Sequence, residues 1–184
     1  LGDVYKRQVT LQDDEILSLA GSQEGFAHVA LTLCDPGDVV LVPNPGYPVF
    51  EAGPFLNDAK IAYYELDKTN HYAPALDKIP EELAKKAKMM VVSYPLNPTC
   101  TCIEKADYEK IIAFAKKYNI AIIHDNAYSE IEYDGRTGFS FLSVPGAKEV
   151  GIEFNSLSKT YNLTGIRISF ALGNKELIQK FKTV

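Results

Sequence analysis

Short apolar runs alternate along this chain with longer stretches of helical periodicity, and that alternation limits its possible folds more than any other feature. Val39 to Val42, Ile61 to Leu66, Met89 to Ser93, Ala121 to His124, Gly151 to Asn155 and Ile168 to Leu172 read as strands. The runs at Val39, Met89 and Ala121 are apolar at successive positions, as strands covered on both faces must be. Between Lys105 and Tyr118, the residues Tyr108, Ile111, Ile112, Ala115 and Tyr118 recur at three- and four-residue steps, the spacing of one buried helix face. Phe26 to Leu33 and the stretch beginning near Lys175 also read as helices. The expected class is α/β, a mostly parallel sheet flanked by helices.

Glycine and proline punctuate the connections, at Asp35-Pro36-Gly37-Asp38, Pro43-Asn44-Pro45-Gly46, Asn97-Pro98 and Asp134-Gly135. With 184 residues, 46% of them apolar, the chain can bury one sizeable core but does not promise two. One domain over residues 9–184 is expected. Leu1 to Gln8 join poorly to the residues after them and read as foreign or disordered sequence. The start at Leu1 and an end inside a helix mark the chain as an internal piece of a longer one. A net charge of -5 disfavours nucleic acid and anionic membranes, which repel an acidic surface. No segment has the apolar length of a membrane span, and the N-terminus lacks a basic region followed by an apolar run. The three cysteines, Cys34, Cys100 and Cys102, show neither a paired framework nor zinc-ligand spacing, so reduced thiols in a cytoplasm are expected.

Ligands of an open parallel sheet bind outside the carboxyl ends of its strands, which directs attention to the polar residues there. Gly21-Ser22-Gln23-Glu24-Gly25 opens a helical pattern and offers free backbone N–H groups to an anion, or simply an ordinary serine cap and glycine turn. Ser156-Leu157-Ser158-Lys159, with Arg167 eight residues on, places two hydroxyls and a guanidinium around an amine, a set able to hold a phosphate beside a nucleophile. Taken singly, Lys159 reads first as a surface lysine, since lysines are rarely buried. Asp125 follows an apolar run and sits where a carboxylate can meet a protonated ring nitrogen, or where it can cap a turn. Tyr128 lies three residues later. Tyr47, in Pro45-Gly46-Tyr47-Pro48, can lay its ring on a planar ligand or pack in a turn, and Asn97 can bond a ligand or form an Asx turn. His124 reads as a hydrogen-bonded structural histidine, while His28 and His71 lack metal-ligand spacing.

In their order and separations these stretches resemble the fold-type I aminotransferases of class I/II: Gly21-Ser-Gln-Glu-Gly25, Pro45-Gly-Tyr-Pro48, Asn97-Pro-Thr99, Asp125-Asn-Ala-Tyr128, and Ser156-Leu-Ser-Lys159 through Gly165-Ile-Arg167. The resemblance implies pyridoxal 5'-phosphate (PLP) as cofactor, carried by Lys159 as a Schiff base. It implies that Asp125 pairs with the ring nitrogen, that Asn97 and Tyr128 bond the ring hydroxyl oxygen, and that Tyr47 stacks on the ring. Ser22, Gln23, Ser156, Ser158 and Arg167 would hold the phosphate. The implied catalytic residues are Lys159, Asp125 and Tyr128, acting on an amino acid and a 2-oxo acid in a homodimer. The arginine that grips the substrate carboxylate is implied to lie in a smaller domain beyond residue 184.

The wording from Gly146 to Gly165 is most similar to that of the LL-diaminopimelate aminotransferases, which implies LL-diaminopimelate and 2-oxoglutarate as substrates. Two positions depart from the family pattern: Cys100 stands where glycine is usual and Ile166 where tryptophan is usual. Cys100 puts the turn beside Asn97 in question, because a β-carbon is poorly tolerated wherever φ must be positive. Other readings on the same scaffold are a PLP-binding regulatory domain and another PLP enzyme such as a β-lyase. A dinucleotide-binding protein is disfavoured, since Gly21 to Gly25 lacks the Gly-x-Gly-x-x-Gly spacing.

Overall fold

The structure, a computed structural model, describes residues 9–135 and 138–184, so the reading of Leu1 to Gln8 falls outside the described residues. The strands are β1 (Ile16–Leu19), β2 (Val39–Asn44), β3 (Lys60–Glu65), β4 (Ala87–Ser93), β5 (Ala121–Asn126), β6 (Gly151–Ser156) and β7 (Ser169–Gly173). The helices are α1 (Ser22–Leu33), α2 (Val49–Leu56), α3 (Glu81–Lys86), α4 (Lys105–Tyr118), α5 (Ala147–Val150), α6 (Leu157–Thr160) and α7 (Lys175–Phe181). The strands form one sheet in the order β1-β7-β6-β5-β4-β2-β3. Its central pairs are parallel, and β7 runs antiparallel to both β6 and β1.

Period-two alternation divides the apolar runs between two cores. Leu41, Met90, Val92 and Ile122 face one side, against Tyr108, Ile111, Ile112 and Ala115 of α4. Val40, Val42, Met89, Val91, Ile123 and Ile152 face the other, against Phe26, Val29 and Ala30 of α1, Phe50 of α2 and Ile178 of α7. Each large side chain removed from water contributes roughly 1.5–3 kcal/mol, so both helical layers hold firmly to the sheet. Gly25 lets α1 approach closely, because a β-carbon there would come within 2.8 Å of the Phe154 ring.

The expected helix over Lys105–Tyr118 forms over those bounds. The strand expected to stop at His124 runs on to Asn126, so Asp125 lies within β5 rather than after it. From β2 the chain passes through α2 to β3 at one edge, then returns beside β2 as β4 and continues through β5 to β6. That reversal between β2 and β4 opens a crevice at the carboxyl ends of the central strands, the usual place for a ligand in such a sheet. Among the described residues, no helix is long and apolar enough to cross a membrane.

Candidate active site

The crevice begins at the N-terminus of α1. Gly21 is the residue before the helix, at φ 100°, a backbone region essentially reserved for glycine. Ser22 is the first helical residue, and no side chain caps the helix end. The first N–H groups of a twelve-residue helix are thereby aimed outward, with the favourable end of its dipole. Arg167 reaches the same place from the far end of the chain. A β-carbon on Gly21 would come within 2.8 Å of the Arg167 Cζ, so this approach needs a glycine. Arg167 Nη1 donates to the Thr164 carbonyl at 3.0 Å, which steers the rest of the guanidinium toward α1.

Tyr47 follows β2, on the turn into α2. Its hydroxyl accepts a hydrogen bond from Gln23 Nε2 at 2.7 Å, and its ring meets Phe50 edge-on at 6.0 Å. Gln23 therefore holds the tyrosine as well as standing at the helix start. Across the crevice, Asn97 after β4 and Tyr128 after β5 are paired, with Asn97 Nδ2 at 3.5 Å from Tyr128 Oη. Partial burial pushes the Tyr128 hydroxyl above the usual phenol range, and the Asp125 carboxyl adds to this. Cys100 adopts φ 59°, the left-handed conformation that its departure from glycine brought into question. Its N–H donates to the Leu96 carbonyl at 2.7 Å, so the turn closes with the cysteine in a conformation glycine would adopt more easily.

Asp125 lies on the floor of the crevice and is only 7% exposed. Its Oδ1 is buried without a hydrogen-bond partner among the described residues. Burial pushes the carboxyl up to about 7, with Ser93 opposing and the Glu153 carboxylate reinforcing the shift. A buried carboxyl oxygen lacking a partner is costly, and a cation or donor at Oδ1 would relieve it.

Ser156 ends β6, and its Oγ accepts from the Ser158 N–H at 3.2 Å, leaving its own hydroxyl proton to give away. The Thr164 hydroxyl donates to the Ser158 carbonyl at 3.3 Å and ties the loop back on itself. Lys159 extends from α6 with its Nζ 6.0 Å from the centre of the Tyr128 ring. It is exposed, so burial within this chain does not supply the desolvation that would activate it.

Every residue that the resemblance assigned to the cofactor lines one cavity of about 370 Å³: Ser22, Gln23, Tyr47, Asn97, Asp125, Tyr128, Ser156, Ser158, Lys159 and Arg167. Small-molecule sites span roughly 300–1,000 Å³. Phe26, Val49, Ala127 and Thr164 complete the wall and were not anticipated. Phe26 opens an apolar helical pattern that reads as core, Val49 lies in α2, a helix not expected from the sequence, and Thr164 carries no signal beyond its nearness to Arg167. His124 is buried behind the site, its Nε2 hydrogen-bonded to Tyr108 Oη at 3.0 Å, as a structural histidine should be.

The model of the family described as aminotransferase class I and II matches residues 2–184. This chain belongs to the aminotransferase class I and II family. It is 45% identical over 177 residues to the LL-diaminopimelate aminotransferase of Syntrophobacter fumaroxidans, covering 95% of this chain and 46% of that protein. To the LL-diaminopimelate aminotransferase of Aquifex aeolicus it is 47% identical over 181 residues, covering 97% and 47%. Among solved structures, substrate-bound BacF from Bacillus subtilis superposes with a TM-score of 0.94 at 40% identity, over 97% of this chain and 45% of that one. The chain thus spans about half the length of the aminotransferases it matches. Their shared fold is that of the fold-type I aminotransferases, as expected from the sequence.

Proposed function

We propose that the protein carrying this chain is a PLP-dependent aminotransferase, passing an amino group from an amino acid to a 2-oxo acid, with LL-diaminopimelate and 2-oxoglutarate as the pair. The observation that carries the reading is Asp125, a buried carboxyl with an unpartnered Oδ1 and a raised pKa, on the floor of the cavity that Lys159 overhangs. A protonated pyridine nitrogen is the partner such a group lacks, and it would draw the carboxyl back to its ionised form. The glycine-lined approach of Arg167 to the α1 N-terminus is the second point of fit, since a bidentate guanidinium beside free N–H groups suits a phosphate.

Bound there, PLP would supply an electron sink for the carbon from which a proton is removed. Asp125 would keep the ring nitrogen protonated. Asn97 and Tyr128 would donate to the ring hydroxyl oxygen, and Tyr47, braced by Gln23 and Phe50, would cover a ring face. Ser22, Gln23, Ser156, Ser158 and Arg167 would hold the phosphate. Lys159 would attach the cofactor, and its amine, once displaced by the substrate amine, would take the proton from the substrate α-carbon.

The choice of LL-diaminopimelate rests on the relatives of that name at 45% and 47% identity. A homodimer completes the reading: Lys159, Tyr161, Ile166 and Arg167 are all exposed in the segment that follows β6, where a second subunit would supply the missing desolvation. Three free cysteines fit a cytoplasmic location.

The test is to incubate the whole protein with PLP, reduce with borohydride and find the phosphopyridoxyl adduct by peptide mass spectrometry, with Lys159→Ala as control. A single adduct at Lys159 that the variant loses is expected; adducts scattered over other lysines would sink the assignment. Turnover of LL-diaminopimelate with 2-oxoglutarate, compared with aspartate, alanine and aromatic amino acids, tests the substrate. Product analysis separates amino transfer from β-elimination, and labelling without turnover of any amino acid would indicate a regulatory domain.

A further inference from the structure

Behind the cavity, on the opposite face of the sheet, lies a carboxylate that the proposed reaction does not use. Glu153 is in the middle of β6 and is fully buried. In the parallel register of β5 and β6 it sits opposite His124, while Asp125 sits opposite Phe154. Successive side chains of a strand point to opposite faces, so His124 and Asn126 share the face of Glu153, and Asp125 projects the other way into the cavity.

Glu153 Oε1 accepts from Asn126 Nδ2 at 2.9 Å and from Ser140 Oγ at 3.1 Å. Its Oε2 accepts from the Phe141 N–H at 2.8 Å. His124 Nδ1 lies 3.2 Å from Oε2, at an angle short of a hydrogen bond, and its ring stacks on Phe141 with centroids 5.4 Å apart. Its Nε2 is held from the other end by Tyr108. Asn126, Ser140 and the Phe141 N–H all donate, the arrangement suited to an ionised carboxylate, which can only accept. A charge without access to water is retained only where such bonds compensate it. Here one of them holds Asn126, while His124 stands 3.2 Å from Oε2, so the carboxylate meets both residues that flank Asp125 in the chain.

We propose that Glu153 is a positioning residue for the cofactor-ring partner: it holds Asn126 by a hydrogen bond and packs against His124, and through these two neighbours sets where the Asp125 carboxylate stands in the cavity. This rests on the proposed PLP site. The bond from Ser140 and the N–H of Phe141 would also anchor the segment before α5, but anchoring that segment alone would not make cofactor affinity depend on Asp125.

The experiment is a double-mutant cycle read by the dissociation constant of PLP, from quenching of tyrosine fluorescence in the cofactor-free whole protein. Glu153→Gln, Asp125→Asn and the double variant are compared. Glu153→Gln should weaken PLP about tenfold, the scale of losing one charge-assisted hydrogen bond, and should add little once Asp125 is already asparagine. Asn126→Ala removes the hydrogen bond from Asn126 to Glu153 and should show the same dependence on Asp125; it decides the matter if Glu153→Gln does not fold. Penalties that simply multiply, or folded variants that bind PLP like the parent, overturn the proposal while leaving the PLP site intact. A parent protein that binds no PLP and forms no Lys159 adduct overturns the proposed function, and this inference with it.

Discussion

The guanidinium of Arg167 rests against Gly21, in space that a β-carbon on Gly21 would occupy. One contact thus joins the start of α1 to the loop before β7, and two requirements coincide at Gly21: φ of 100° and room for the arginine. Substituting alanine violates both. Gly21→Ala should lower stability by roughly 1–3 kcal/mol in urea unfolding and weaken PLP binding as the arginine is displaced. Unchanged PLP affinity in a folded variant would separate Arg167 from the phosphate.

Arg167 can be tested without disturbing Gly21. Lysine keeps the charge but loses the planar fork that grips two oxygens at once. Arg167→Lys should weaken PLP about tenfold while leaving pyridoxal, which has no phosphate, bound as in the parent. Equal weakening of both ligands would show that the side chain acts elsewhere on the cofactor.

The raised pKa of Asp125 makes stability depend on pH in a definite direction. Its carboxyl titrates near 7 in the folded protein, against an ordinary value of 3.8. Between those values the folded state holds the proton more tightly than the unfolded one, so the contribution of this group is fully present below about 4. It is lost as pH rises through about 7. Each pKa unit corresponds to about 1.4 kcal/mol, so the loss is of the order of a few kcal/mol. Cofactor-free Asp125→Asn should lack this component, and its stability relative to the parent should climb from pH 4 to pH 8. A constant difference across that range would contradict the shift.

Cys100 holds a left-handed conformation with its side chain exposed, its Sγ 3.8 Å from the Pro98 carbonyl. Removing the β-carbon relieves the backbone, although glycine also frees the unfolded chain. Cys100→Gly should raise stability by roughly 0.5–1 kcal/mol in thermal or urea unfolding, and Cys100→Val should lower it. A destabilised glycine variant would mean that the thiol contributes packing here.

Much of the cavity is legible in the chain's local patterns. Asp125, Ser156 and Lys159 follow or end apolar runs, so the rule that ligands gather at carboxyl ends of strands already groups them. The spacing from Ser156 to Arg167 is short enough for one loop to bring those groups together. Less is legible where the signal is weak or crosses the sheet. Ile16–Leu19 forms β1 at the sheet edge, too short and too little buried to show a pattern. The antiparallel β7 cannot be told from a parallel strand by composition. Glu153 does carry a signal, an acidic residue between apolar Ile152 and Phe154, which implies buried partners without naming them.

The sequence by itself determined the α/β class and the positions of the main strands and helices, because period, turn chemistry and strand ends are local properties, and its resemblance to a family grouped the residues that line one cavity. The tertiary structure alone decided the rest. That Asp125 has an oxygen with no partner among the described residues, that Gly21 must yield to Arg167, and that Glu153 bonds Asn126 and meets His124 all depend on which strands and loops become adjacent. Adjacency is fixed by how the two faces of the sheet pack, a long-range outcome that no local window of sequence contains.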